Sequence, residues 1–190
     1  MTNLLSPDWG SLPTPQDDGA TDHLHGLEMA PVSLASTAGG AVDLSSLAGL
    51  SVIYVYPMTG RPDRPLPDGW DLIPGARGCT PQSCSFRDHA GELRALGVET
   101  LFGVSTQPTV DQTEAAARLH LPFPLLSDEK LTLARALRLP TFDVAGVTLL
   151  KRLVMIVREG RIVKVFYPVF PPDRSAADVV AWLKGEEPRA

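Results

Sequence analysis

The stretch "GARGCTPQSCSFRDH", residues 75–89, holds both cysteines of the chain, Cys79 and Cys84. A glycine-containing turn leads into them, a proline lies between them, and the residues beyond carry a helical pattern. Proline is tolerated in a first helical turn, because its missing N–H would be unpaired there anyway. A helix is therefore predicted to begin near Thr80-Pro81. Phe86, Ala90 and Leu93 mark its apolar face, and Gly97 suits its C-terminal stop.

Just upstream, "LSVIYVYP" (50–57) is a continuous apolar, β-branched and aromatic run, as expected of a strand buried on both faces. Between it and the cysteines, "MTGRPDRPLPDGWDLIPGARG" (58–78) carries four prolines and four glycines and has no periodicity. Loops longer than about 12–15 residues are usually functional or disordered. Downstream, "VETLFGVS" (98–105) is a second buried-type strand. "TVDQTEAAARLHL" (109–121) is helical with Thr109 or Asp111 as N-cap. "FPLLSD" (123–128) is a short strand and "EKLTLARALRL" (129–139) a helix. "KRLVMIV" and "RIVKVFY" flank a glycine-containing turn as a hairpin, and "DRSAADVVAWLKG" (173–185) closes the chain as a helix. Near the start, "LEMAPVSLASTAGGAVDLSSLAG" (27–49) places two extended runs around Ala38-Gly39-Gly40, a second hairpin signal. The order describes one α/β domain: a central mixed sheet flanked by helices, with an N-terminal hairpin extension. Residues 1–22 read as an arm, 23–186 as the domain, and about 58–77 as an insertion within it.

Composition agrees with a single folded domain. The chain has 190 residues, 44% hydrophobic and 21% charged, with a formal net charge of −5. It has no basic stripe, so nucleic acid is not expected as a partner. No segment has the length and apolarity of a membrane span, and no signal-peptide pattern opens the chain. A cytoplasmic location is expected, where thiols stay reduced and paired cysteines point to catalysis, redox sensing or metal binding.

Residues five apart in a helix sit about 7.5 Å apart along the axis and about 140° around it. Their Cα atoms are then roughly 8.5–9 Å apart, whereas a disulfide needs about 4.4–6.8 Å. If both cysteines lie in the folded helix, they can bond only after a turn unwinds. Such a pair suits a thiolate at Cys79 that reacts first and a thiol at Cys84 that resolves the product. A helix N-terminus supports that order, since its unpaired N–H groups and partial positive charge favour a thiolate over a thiol. The competing reading for either cysteine alone is a small buried hydrophobe. Zinc is disfavoured: His89 lies five from Cys84, off the spacing of one helical face, and His23 and His25 read as loop residues. No phosphate loop or serine nucleophile elbow is present. Neither a metal nor an organic cofactor is expected.

Taken together, "GCTPQSCSFRDH" resembles the active-site segment of peroxiredoxins of the Q type, also called bacterioferritin comigratory proteins. The matching residues are Gly78, Cys79, Thr80, Cys84, Phe86, Arg87 and Asp88. "VIYVYP", "GVSTQPTVDQTEAAARLHLPFPLLSD" and "KRLVMIVREGRIVKVFY" are similar to further segments of that family, so the resemblance covers roughly residues 27–184. It implies a thioredoxin-like fold and a peroxidase that reduces hydrogen peroxide or small organic hydroperoxides. Cys79 would be the peroxidatic cysteine and Cys84 the resolving one, joined in a disulfide that a thioredoxin-type donor reopens. Arg152 would contact the thiolate and the peroxide, and Pro57 would shield the site. A monomer is expected, with a dimer as the alternative.

The chain departs from the family in one place. The hydroxyl expected three residues before the first cysteine is replaced by Ala76, and the insertion separates Pro57 from Cys79. Thr59 is the candidate to supply the missing hydroxyl; its plainer reading is a turn residue before Gly60. Arg87 and Asp88, adjacent on a helix, are expected to diverge and to pair with other segments. Two other readings stay open on the same fold: a thiol–disulfide oxidoreductase, though Cys-x-x-Cys is lacking, and a non-enzymatic redox sensor whose long loop docks a partner.

Overall fold

A computed structural model describes residues 7–185. The first six residues of the arm and residue 186 of the predicted domain lie outside it. In chain order the elements are β1 (Ser33–Ser36), β2 (Ala41–Asp43), β3 (Leu50–Val55), α1 (Cys79–Ala95), β4 (Val98–Ser105), α2 (Thr109–Arg118), β5 (Leu125–Ser127) and α3 (Thr132–Ala136). They are followed by β6 (Thr141–Val144), β7 (Val147–Leu150), β8 (Leu153–Arg158), β9 (Arg161–Phe166) and α4 (Ser175–Gly185).

Seven strands form one sheet in the order β2-β1-β5-β4-β3-β8-β9. Strands β3, β4 and β5 run parallel, with α1 and α2 as crossovers, and the outer pairings are antiparallel. A parallel centre needs cover on both faces, and the alternation along β3 provides the contacts. Ile53 and Val55 pack into a core with Leu24, Leu34, Phe102, Leu126, Leu133 and Met155. Val52 and Tyr54 point the other way, into a core with Phe86, Leu93, Ala115, Val154, Val179 and Leu183. The second core locks α1 in place. Phe86 is fully buried and stacks on Tyr54 at 4.5 Å between ring centroids. Burying such a ring contributes about 3 kcal/mol. Among the described residues no helix is long and apolar enough to cross a membrane.

The expected hairpins, β1–β2 and β8–β9, are both present. Three details differ. Helix α1 begins at Cys79, one residue before the predicted start. The N-cap of α2 is Pro108, with neither Thr109 nor Asp111 in that place. The helix predicted over 129–139 shrinks to Thr132–Ala136, because the Asp128 carboxylate accepts from the backbone N–H groups of Leu133 and Ala134 and fixes the start there.

One element was not anticipated. "TFDVAGVTLL" (141–150) folds as the hairpin β6–β7 about a turn at Ala145-Gly146. It packs against the Pro/Gly-rich insertion, and the two build a third, small core of Trp70, Ala76 and Leu149, flanked by Met58, Leu66, Ile73, Phe142 and Val144. The insertion is thus held by its own apolar contacts. Arg61 also bonds Asp111 of α2 at 2.9 Å, and Arg118 of α2 donates to the Gly60 carbonyl at 2.9 Å. The described part of the arm is docked as well. Trp9 Nε1 donates to Asp173 at 2.8 Å, and Asp18 receives Lys151 Nζ at 2.7 Å and Tyr167 OH at 2.8 Å.

Candidate active site

The site is built where the insertion ends and α1 begins. Gly78 caps α1 with φ +105°, a left-handed conformation that glycine adopts without strain. A Cβ there would also lie 2.6 Å from Pro172 and 2.8 Å from Trp9, so the turn into the helix requires glycine twice over. The next residue is Cys79, in the first turn, 3% exposed. The amides of this turn have no partner further back in the helix and face outward from its positive end.

Arg152, just ahead of β8, is also 3% exposed and reaches the sulfur. Its Nη2 lies 3.2 Å from Cys79 Sγ and 3.2 Å from each of the Gly75, Ala76 and Arg77 carbonyls. Its Nη1 donates to Gln82 Oε1, and Gln82 Nε2 in turn donates to Ser175 Oγ at 3.2 Å. Gln82 is fully buried. A guanidinium held at three carbonyls, one amide and one sulfur is fixed in plane, and it sets a full positive charge beside Sγ. The thiol itself faces the Ala76 carbonyl at 3.5 Å.

Cys84 lies on the same unbroken helix, half-buried, and both cysteines are free thiols. The helical spacing keeps them beyond bonding reach. Burial pushes the Cys84 thiol up from the ordinary cysteine range, with the neighbouring Arg87 pulling the other way.

The other sequence-predicted residues fall as follows. Pro57 is buried at the end of β3, ahead of the insertion. Thr59 is 2% exposed, and its hydroxyl donates to Gln107 Oε1 at 3.1 Å, an acceptor its own backbone N–H also uses at 2.8 Å. Its one hydroxyl proton is directed at Gln107, not at Cys79. Arg87 and Asp88 do not diverge: Arg87 Nε donates to Asp88 Oδ1 at 2.8 Å, because the long arginine arm folds back, and Arg87 Nη1 reaches the Leu119 carbonyl at 3.0 Å.

Sequence reasoning missed Gln82. Its signal was available, since a residue three after Cys79 shares that face of the helix. Cys79 opens on a cavity of about 700 Å³ whose walls come largely from the insertion, including Met58, Arg61, Arg64, Leu66 and Trp70. A smaller cavity of about 340 Å³ lies behind Arg152, between the arm and the end of β9, and does not include Cys79 in its lining.

The redoxin family model matches residues 24–181. A putative chloroplastic peroxiredoxin Q of Oryza sativa subsp. indica is 26% identical over 153 residues, covering 80% of this chain and 63% of the rice protein. The chain therefore spans a little under two thirds of that relative's length. The chloroplastic peroxiredoxin Q of Sedum lineare is 26% identical over 155 residues, covering 81% of this chain and 74% of its own. Among solved structures, peroxidoxin BcpB from Mycobacterium tuberculosis superposes with a TM-score of 0.69 at 25% identity, over 86% of this chain and 97% of that one. Peroxiredoxin Q from Xanthomonas campestris gives 0.62 at 22% identity, over 91% and 96%. The thioredoxin-like peroxiredoxin fold expected from the sequence is the fold adopted.

Proposed function

The chain belongs to the redoxin family, and from that premise and the geometry at Cys79 we propose that it is a thiol-dependent peroxidase of hydrogen peroxide and organic hydroperoxides. The Cys79 thiolate attacks the terminal peroxide oxygen. An S–O bond forms as the O–O bond breaks; the sulfur is oxidised to sulfenic acid, and the departing oxygen leaves as water or an alcohol after taking up a proton. Arg152 Nη2, 3.2 Å from the sulfur, and the first-turn amides of α1 stabilise the negative charge that passes from sulfur to the peroxide oxygens. Gln82 holds Arg152 in that position, and Pro57, buried just past β3, takes the shielding role that the family resemblance implies.

The first turn of α1 then unwinds, and the Cys84 sulfur condenses with the sulfenic acid. A disulfide forms and water is released. A thioredoxin-type dithiol reopens it by thiol–disulfide exchange. In the reduced geometry Thr59 gives its hydroxyl proton to Gln107 and does not line the cavity at Cys79, so the reading assigns it no part in binding peroxide.

The observation that carries this reading is the direct contact of a buried guanidinium with a first-turn cysteine sulfur, with a second thiol held out of reach on the same helix. The test is peroxide consumption coupled to thioredoxin, thioredoxin reductase and NADPH. Wild type is expected to turn over, Cys79→Ser to consume nothing, and Cys84→Ser to react once and stop. Turnover by Cys79→Ser, or disulfide exchange with no peroxide consumed by wild type, would remove the proposal.

A further inference from the structure

The cavity above Cys79 is much larger than hydrogen peroxide requires. At about 700 Å³ it falls in the range of sites that hold ligands of drug size. Its walls are of two kinds. Met58, Leu66 and Trp70 supply apolar surface, while Arg61, Arg64, Arg77 and Arg118 bring four guanidinium groups and no aspartate or glutamate lines the cavity.

The cations are not equally committed. Arg61 and Arg118 use most of their donors on carboxylates and on the Gly60 carbonyl. Arg77 uses only Nη1, on Asp71. Its side chain is 12% exposed, and its Nε and Nη2 have no partner among the described residues. Arg64 makes one long contact, 3.5 Å to Asp111. Unpaired guanidinium donors facing a partly apolar cavity favour an anionic acceptor, and a carboxylate matches their fork best.

Resting on the peroxidase reading above, we propose that the insertion makes Cys79 selective for organic hydroperoxides that carry a carboxylate on an apolar body. The apolar body lies against Met58, Leu66 and Trp70, the carboxylate meets Arg77 and Arg64, and the hydroperoxide end is turned toward Sγ. The chemistry is unchanged: S–O forms, O–O breaks, the sulfur is oxidised, and the alkoxide takes up a proton to leave as an alcohol.

Cumene hydroperoxide and its para-carboxylate provide the test, since they share one skeleton and differ in charge. Their second-order rates of Cys79 oxidation are measured by stopped flow, with hydrogen peroxide as a third substrate for every protein. In wild type the carboxylate is expected to react roughly tenfold faster than the neutral parent, the gain of one charge-assisted hydrogen bond. That ratio is expected to fall in 0.5 M salt, and to approach one in Arg64→Met/Arg77→Met. Should the double variant lose its fold by circular dichroism, the exposed Arg64→Met alone is expected to lower the ratio about threefold. The unreactive 4-isopropylbenzoate is expected to slow the neutral hydroperoxide in wild type and to do so less in the variants. Equal rates for the two hydroperoxides in wild type would overturn the selectivity while leaving the peroxidase standing, as would a benzoate that inhibits without any rate advantage for the carboxylate. No reaction with any of the three peroxides would instead remove the peroxidase reading.

Discussion

Arg152 Nη2 binds the sulfur of Cys79 and the carbonyls of Gly75, Ala76 and Arg77 at one distance, 3.2 Å. The same atom therefore holds the reacting sulfur and the end of the insertion, and Gln82 fixes the plane of its guanidinium from the other side. Gln82→Met keeps the volume but removes the acceptor, and it is expected to slow sulfenate formation by about tenfold, the value of one hydrogen bond to a charged group. Retention of the fold by circular dichroism together with rescue by Gln82→Glu would separate a positioning role from simple loss of packing. Gly78→Ala is expected to cost about 1–3 kcal/mol, since the left-handed backbone and the contacts with Pro172 and Trp9 both oppose a Cβ; the urea midpoint measures it. The Cys84 thiol is raised by burial, so at neutral pH it is mostly protonated. Only the thiolate closes the disulfide, so the second kinetic phase after a peroxide pulse is expected to quicken steadily as pH rises from about 7 to 9.5. A phase independent of pH between 7 and 9.5 would contradict that. At this scale Cys79 and Cys84 were legible from residue type and spacing, whereas Arg152 was legible only through the family resemblance, since a charge at the start of a strand is ordinarily a solvated one. The hydrogen bond of Thr59 to Gln107 was not, since 48 residues separate the pair and only the fold brings them together.

The insertion and the hairpin β6–β7 form one unit around Trp70, with Phe142 at 6.4 Å between ring centroids. Neither buries an apolar face without the other. Trp70→Ala is expected to loosen both together: amide hydrogen exchange should rise in 58–77 and in 141–150, with the central strands unchanged. Exchange confined to the insertion would show that the hairpin stands alone. The insertion was readable from its prolines and glycines as a long irregular segment, but its packing was not, because aperiodic sequence carries no signal of which face is inward. The hairpin was missed for another reason. Its strands are four residues each, and Thr141-Phe142-Asp143-Val144 alternates too briefly to stand out beside the preceding helical pattern, although Ala145-Gly146 marked the turn. The helix over 129–139 was read too long, because the apolar spacing continues past the point where Leu137 and Arg138 leave helical geometry.

For the molecule as a whole, the central strands were the most legible part, because continuous apolar runs have no stable place except between two covered faces. The division of β3 between two cores follows from its period of two. The strand and the residue just after it also bury two phenols, Tyr54 and Tyr56, both fully inaccessible, and burial holds each above the ordinary tyrosine value. Above pH of about 10 the unfolded chain releases these protons and the folded chain does not, so the unfolded state binds fewer. The stabilisation is complete below that pH and is lost as pH rises beyond it. Urea midpoints at pH 8, 10 and 11 are expected to fall in that order, less steeply for Tyr56→Phe. The packing of α1 on this core sets the reduced geometry at Cys79, and the chemistry of that sulfur is the claim on which the rest depends. The most direct test mixes reduced Cys84→Ser protein with one equivalent of hydrogen peroxide in the presence of dimedone and reads the peptide containing Cys79 by mass spectrometry. A single dimedone adduct on Cys79, matched by loss of one equivalent of peroxide, is expected; an unmodified Cys79 with the peroxide still present would contradict it.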